Sequence, residues 1–371
     1  MRLVYLAPVP WVSFAQRSHK FVEWFHARRD KEIIWVDPYP TRLPELVDFR
    51  RIKFARESST KIVGNGVTPG WLTILRPSSL PIEPLPGSGA LNRLLWNNVL
   101  LAIQSFVEKE RCHLVIGKPS KLSLQVLALN PTIPSLYDAM DDFSAFYRGL
   151  SRIAMGRRER QVAARVTQIL VSSTVLAERF AAYHSKLALA LNACAIETLP
   201  PPKATTKSLG KPVLGYVGTI GHWFDWPLVF NIAEANPSMR IRLIGPIYAM
   251  PPGSLPHNIE LLPACDHLTA MRFMQEFSVG LIPFKLTDLT ASVDPIKYYE
   301  YKALGLPVLS TSFGEMAMRN GQTGVFLVNN HSDLACIVRS AMAYECEISE
   351  IQEFRTANSW HARFDACGIL P

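Results

Sequence analysis

The stretch T-A-S-V-D-P-I-K-Y-Y-E-Y-K-A-L-G-L-P-V-L-S-T, Thr290 to Thr311, carries the start and stop signals of one short helix followed by one buried strand. Asp294 is expected to cap the free amides, and Pro295 to take the first helical position, where no amide proton is needed. Gly305 suits the left-handed residue just past the helix end, and Pro307 forbids continuation. Leu306–Leu309 then reads as a short apolar strand. Lys297 and Glu300 are three apart and share one helix face, while Ile296, Tyr299 and Ala303 fall on another that is available for packing. A helix N-terminus gathers unpaired amides and partial positive charge, so it attracts phosphate. A lysine one turn in adds a full charge, as holding a nucleoside diphosphate leaving group requires. A carboxylate three residues on can accept two hydrogen bonds from vicinal hydroxyls, as on a ribose. An isolated K-x-x-E is most often a solvated ion pair, so the rest of the chain has to decide.

Around this stretch, apolar runs recur at Val213–Val217, Ile241–Ile244, Ile259–Leu262, Val279–Ile282, Leu306–Leu309 and Val325–Val328. An earlier series covers Leu3–Ala7, Ile33–Val36, Leu114–Ile116, Ser135–Tyr137, Ile169–Val171 and Leu187–Leu191. Short apolar runs separated by helical stretches predict parallel sheets buried on both faces, hence an α/β protein of two Rossmann-like doubly wound domains. The proline run and polar tail of I-E-T-L-P-P-P-K-A-T-T-K-S-L-G-K-P read as a linker. The division is therefore 1–195, a linker at 196–212, 213–347, and a last helical segment at 348–371. Residues 40–60, with R-R-I-K-F-A-R, and 76–92, rich in proline, glycine and serine, read as excursions of the first domain. Two such sheets place a ligand in a cleft outside the carboxyl ends of their strands.

The totals bound the class. At 371 residues the chain can hold two cores. Hydrophobic residues make up 48% and mean hydropathy is +0.10, which excludes a disordered chain. No run reaches the roughly 18 apolar residues of a membrane span. The opening M-R-L-V-Y-L-A-P turns to proline too soon for a signal peptide. Six cysteines are scattered without C-x-x-C or metal-ligand spacing, which fits a reducing cytoplasm. Residues 1–200 hold 26 Lys+Arg against 16 Asp+Glu, and residues 201–371 hold 13 against 15, so the net +8 resides in the first half. That basic half suits an anionic partner: nucleic acid, anionic lipid or a pyrophosphate-linked substrate. Ordinary solubilising charge accounts for the counts equally well.

Four further stretches carry candidate chemistry. G-Y-V-G-T-I-G-H-W-F-D-W, Gly215 to Trp226, ends a strand, and Gly218 and Gly221 permit close backbone approach to a ligand. L-I-P-F-K-L-T-D-L-T, Leu281 to Thr290, leads toward the helix, with Phe284 a core residue by default and Lys285 a solvated one. L-A-P-V-P-W-V-S-F-A-Q-R-S-H-K, Leu6 to Lys20, leaves the first strand, and Arg17, next to Gln16, can fork onto a phosphate. S-L-Y-D-A-M-D-D-F-S-A-F-Y, Ser135 to Tyr147, puts Asp138, Asp141 and Asp142 at the carboxyl end of a strand. A carboxylate there, raised by its neighbours, can take a hydroxyl proton; a helix N-cap for Asp142 and a turn for Asp138 are the structural alternatives. L-N-R-L-L-W-N-N-V-L-L-A-I-Q-S-F-V, Leu91 to Val107, reads as a core helix in preference to a membrane-surface helix.

D-P-I-K-Y-Y-E-Y-K-A-L-G-L-P-V-L-S-T closely resembles the donor-site helix of GT-B glycosyltransferases, particularly bacterial family-4-like enzymes of polysaccharide assembly, and is similar to the same region of the xanthan glucuronosyltransferase. The resemblance implies that Lys297 meets the diphosphate of a nucleotide sugar and Glu300 the ribose. The common family-4 signature has two glutamates eight positions apart, and Ser292 stands at the earlier one. Gly215 to Trp226 resembles the V-G-x-I-x-x-W-x-D loop that lies against the diphosphate, which implies donor contacts from Gly218, Thr219, Gly221 and His222, with Phe284 lining the sugar pocket. Gln16, Arg17 and Asp138 are implied on the acceptor side, and Asp141 falls at the proposed base. The resemblance implies that 1–195 binds the acceptor, that 213–347 binds the nucleotide sugar, and that 348–371 is the C-terminal helix returning to the N-terminal domain. The implied reaction moves a sugar from a nucleotide sugar, UDP ahead of GDP, to a saccharide or lipid-pyrophosphate-linked oligosaccharide. No cofactor, no obligatory metal and no nucleic acid are implied. The implied place is the cytoplasm, peripheral on the inner membrane face, with the N-terminal domain against anionic lipid, and the role is in cell-surface or exopolysaccharide biosynthesis. A sugar-nucleotide 2-epimerase on the same fold and a non-catalytic GT-B binding protein are the alternatives.

Overall fold

The computed structural model describes residues 1–13, 16–44, 68–201 and 211–369. Most of the predicted 40–60 excursion and the centre of the predicted linker lie outside them. Two compact units emerge: 1–172, 176–190 and 367–371 form the first, and 173–175 with 191–366 the second.

The first unit is built on a seven-stranded, all-parallel sheet: β1 (Arg2–Leu6), β2 (Ile33–Val36), β3 (Leu72–Leu75), β4 (Cys112–Ile116), β5 (Ser135–Ala139), β6 (Gln168–Val171) and β7 (Leu187–Leu189), in the order β3-β2-β1-β4-β5-β6-β7. β1, β2, β4 and β5 are almost wholly buried, and each carries a short apolar run, interrupted in β4 by His113 and ended in β5 by Asp138. β3 was not expected. It lies at the sheet edge with only Leu72 buried, and Thr73 interrupts its apolar residues. The helix Ser88–Lys109 also begins inside the segment read as an excursion at 76–92.

The second unit has a six-stranded parallel sheet: β8 (Val213–Val217), β9 (Arg240–Ile244), β10 (Ile259–Leu262), β11 (Val279–Ile282), β12 (Val308–Thr311) and β13 (Val325–Val328), in the order β10-β9-β8-β11-β12-β13. β12 starts two residues later than the apolar run suggested, because Leu306 and Pro307 are used in leaving the preceding helix. Side chains alternate across the sheet. Val213 and Val217 join the core under the helices His267–Gln275 and Ile296–Ala303, while Leu214 and Tyr216 join the one under Trp226–Ala235 and Leu334–Met342. The chain after residue 347 forms two helices, Ile348–Ala357 and Trp360–Ala366, both within the second unit. Among the described residues no helix is long and apolar enough to cross a membrane.

Candidate active site

In the second sheet the strand order reverses between β8 and β11, so the loops leaving these two strands flank the switch point where open α/β sheets bind ligands. The two loops are knitted together. Lys285 N donates to the Trp223 carbonyl at 2.7 Å, Asp225 N donates to that of Pro283 at 2.8 Å, and Phe224 bridges to Phe284. Asp225 caps the helix Trp226–Ala235 by accepting from Leu228 N at 3.1 Å. Gly218 has φ +154°, and a Cβ on Gly245 would lie 2.1 Å from the Gly218 carbonyl oxygen, so the turns after β8 and β9 pass backbone against backbone. Gly218 and Thr219 are partly exposed, Gly221 is buried and His222 is exposed. Phe284 is half-buried between Phe313, at 5.1 Å between ring centroids, and Tyr216, at 6.2 Å, which is the packing role that its residue type suggested. Lys285 is exposed.

The loop after β11 delivers the helix Ile296–Ala303. Lys297 and Glu300 share a face as expected, with Nζ and Oε2 2.5 Å apart. Their surroundings differ from those of a solvated pair: Glu300 is only 8% exposed, and the Lys297 side chain 24%. The capping expectation is corrected. Pro295 is the N-cap, and Asp294, its side chain fully buried, turns instead to the interior. There it accepts from Arg319 Nη2 at 2.6 Å, Tyr299 OH at 2.8 Å and Asn192 N at 2.6 Å. A buried carboxylate is far better satisfied by a guanidinium than by weakly polar helix amides. Gly305 has φ +76° just past the helix end, as its residue type foretold. Ser292, 3% exposed, has a buried hydroxyl with no hydrogen-bond partner among the described residues.

In the first unit the corresponding reversal lies between β1 and β4. Leaving β1, the chain enters the helix Arg17–Arg29 with Gln16 exposed as its N-cap and Arg17 2% exposed. Arg17 Nε donates to Asp138 Oδ1 at 2.9 Å, and Nη1 donates to the Ala190 carbonyl at 2.7 Å. Asp138 was expected beyond the strand end; β5 instead continues to Ala139, and Asp138 is fully buried with Tyr5 OH also donating to it at 3.1 Å. The arginine is the counter-charge that such burial demands. Asp142 takes the capping role: its Oδ1 accepts from Ser144 N at 3.0 Å and Ala145 N at 3.3 Å, and it pairs with Arg179. Burial works to raise the Asp142 carboxyl, yet the Arg179 and Ser144 hydrogen bonds hold it below its ordinary range. Asp141, between these two and partly exposed, is pushed up to about 7 by loss of solvation, with Arg17 opposing and Asp138 and Asp142 reinforcing. Three neighbouring carboxyls are thus sorted into a buried ion pair, a cap and a group poised to exchange its proton near neutrality.

Sequence reasoning missed a pocket at this first switch point, lined among others by Ala7, Asp37, Thr41, Lys118 and Ser120. Ser120 caps the helix Lys121–Leu129, accepting from Ser123 N at 3.0 Å. The signal was G-K-P-S-K, Gly117 to Lys121, a strand end passing into a capped helix.

No protein-family model matches the chain, and no curated protein matches it. Solved structures do. Anabaena HepE in complex with UDP is 12% identical at a TM-score of 0.62, over 99% of this chain and 98% of that one. The lipopolysaccharide outer core galactosyltransferase WaaB is 10% identical at 0.63, over 99% of each chain. AviGT4, a glycosyltransferase involved in avilamycin A biosynthesis, is 10% identical at 0.56, over 97% and 93%. At such identities the likeness speaks for architecture, and the architecture of this chain is the GT-B fold.

Proposed function

We propose that this chain is a glycosyltransferase that moves a sugar from a nucleotide sugar, UDP ahead of GDP, to a saccharide acceptor. The observation that carries this reading is the largely buried Lys297–Glu300 pair, on the helix that follows β11 at the second switch point. On donor binding Lys297 turns to the diphosphate, aided by amides of the Gly218–Gly221 loop, and Glu300 turns to the ribose hydroxyls. These groups meet the leaving-group charge without an obligatory metal. The unpartnered hydroxyl of Ser292 suits a hydroxyl of the transferred sugar. In the first unit Gln16 contacts the acceptor over the Arg17–Asp138 pair, and Asp141 takes the proton of the attacking hydroxyl. Support for a uridine nucleotide comes from HepE, which is described in complexes with UDP and with UDP-glucose. We extend the proposal to a lipid-pyrophosphate-linked acceptor in cell-surface or exopolysaccharide assembly at the inner membrane face, on the strength of the basic first half.

Two measurements test this. UDP at a hundred times its dissociation constant should add about 2.7 kcal/mol to unfolding stability, read as a rise in melting temperature. Lys297→Ala should weaken UDP binding about 10- to 100-fold, the worth of a charge-assisted hydrogen bond, in isothermal titration. UDP and GDP both failing to shift the melt would overturn the donor assignment, as would Lys297→Ala binding UDP like the parent.

A further inference from the structure

We propose that Tyr216 is a positioning residue for the nucleotide diphosphate: its hydroxyl locks the peptide after Thr219, so that the amides of Thr219 and Gly221 are turned to the phosphates together. This role rests on the donor reading above and belongs to a side chain of β8 that itself touches no ligand.

The alternation of β8 puts Tyr216 on the same face as Leu214, where it is 2% exposed. Its ring packs against Phe224, at 5.1 Å between centroids, and against Phe284, so its direction is fixed. A buried tyrosine needs a partner for its hydroxyl. Tyr216 finds one three residues on, donating to the Thr219 carbonyl at 2.9 Å. The hydroxyl passes Gly218 on the way. A Cβ there would lie 2.8 Å from the hydroxyl oxygen, so the clamp itself demands glycine at that position. Burial pushes the Tyr216 hydroxyl above its ordinary range, and it stays a donor at any working pH.

A trans peptide directs its carbonyl and its amide to opposite sides, and three successive peptides decide what the loop offers. In the central one the Thr219 carbonyl is held by Tyr216, and Ile220 N donates to the Pro246 carbonyl at 2.9 Å. In the one before, the Gly218 carbonyl lies against Gly245. In the one after, the Ile220 carbonyl accepts from Tyr248 N at 2.8 Å and Ala249 N at 3.0 Å. Both flanking carbonyls are thus spent on the turn after β9, and the amides opposite them, Thr219 N and Gly221 N, face away from it. Among the described residues neither amide has a hydrogen-bond partner. Gly221 is buried, and an orphaned amide on a buried residue calls for a bound acceptor. Two such amides on one side of a turn make a seat for an anion, and a diphosphate is the anion that a nucleotide sugar brings.

Tyr216→Phe keeps the ring and removes one oxygen, which frees the Thr219 carbonyl and lets the flanking amides turn. The variant should bind UDP about tenfold more weakly in isothermal titration, the worth of one charge-assisted hydrogen bond, and should bind uridine, which has no phosphate, like the parent. Gly218→Ala should also weaken UDP binding, because its methyl group meets the same hydroxyl. Combined with Tyr216→Phe its loss should be smaller than the sum of the two, since the first change removes the group that the methyl strikes. Equal losses for UDP and uridine would make Tyr216 a packing residue and overturn the proposal. A Tyr216→Phe protein that binds UDP like the parent would overturn it too, as would losses that add in full, and each of these leaves the donor reading standing. A parent that binds neither UDP nor GDP removes the donor reading and this role with it.

Discussion

Asp141→Asn is expected to lower turnover by about 10²- to 10⁴-fold, the usual contribution of a positioned general base, while UDP affinity stays within a few-fold. Asparagine keeps the shape and removes only the ability to accept a proton, so a loss confined to the chemical step separates this role from a packing role. The pH profile supplies a second signature. With its carboxyl raised to about 7, Asp141 is mostly protonated at pH 6 and mostly ionised at pH 8, so the parent rate should climb roughly tenfold per unit below 7 and level off above it. In the variant that limb should vanish. Stability should respond in the opposite sense. A folded-state pKa above the unfolded value gives stability that is full below the unfolded pKa and lost as pH rises through the folded one. Asparagine mimics the protonated form, so the variant should melt higher than the parent at pH 8 and alongside it near pH 4. A loss of stability that keeps a carboxyl ready to exchange its proton is the trade expected if Asp141 is the base. Full turnover in the variant, or a parent profile flat from pH 5 to 9, would take the base role from Asp141.

How far the sequence could be read depended on where each residue's partner lay. Val213–Val217 and Val279–Ile282, buried on both faces, were legible residue for residue, and so were the partly buried edge strands Ile259–Leu262 and Val325–Val328. The edge strand Leu72–Leu75, interrupted by Thr73, was not. The pairing of Lys297 with Glu300 follows from helical spacing alone, and so does the cap at Asp142. Local grammar failed where a distant group outbid a neighbour. Asp294 has the residue type of a cap, but Arg319 lies 25 residues on and Asn192 lies 102 residues back, and nothing in the spacing announces either. Arg17 and Asp138 are separated by 121 residues, so each looked like an independent cleft residue until the fold brought them together. The charge state of Asp141 was foreseeable only as a tendency, because it depends on burial that follows from the tertiary packing.

The Asp294 cluster makes the second large prediction. The start of the helix Ile296–Ala303 is held by buried ionic groups and not by its own cap. Arg319 donates to Asp294 and, at 2.8 Å, to Tyr299 OH, and its guanidinium carbon lies 3.9 Å from the centre of the Tyr298 ring. Asp294 and Arg319 side chains are 0% and 6% exposed, so removing one partner strands the other charge in the interior. Arg319→Met should therefore destabilise the protein by about 3–5 kcal/mol, more than most single substitutions cost. For a unit of this size that lowers the melting temperature by roughly 10 °C. Asp294→Asn added to Arg319→Met should recover part of the loss, because no unpaired charge then remains, and a double-mutant cycle will show the coupling directly. Function should follow position. With the helix start released, Lys297 and Glu300 lose their fixed placement, so the double variant should show a raised KM for the nucleotide sugar and a smaller change in kcat. A single variant that melts within 1 kcal/mol of the parent would mean that the cluster is not what holds the helix.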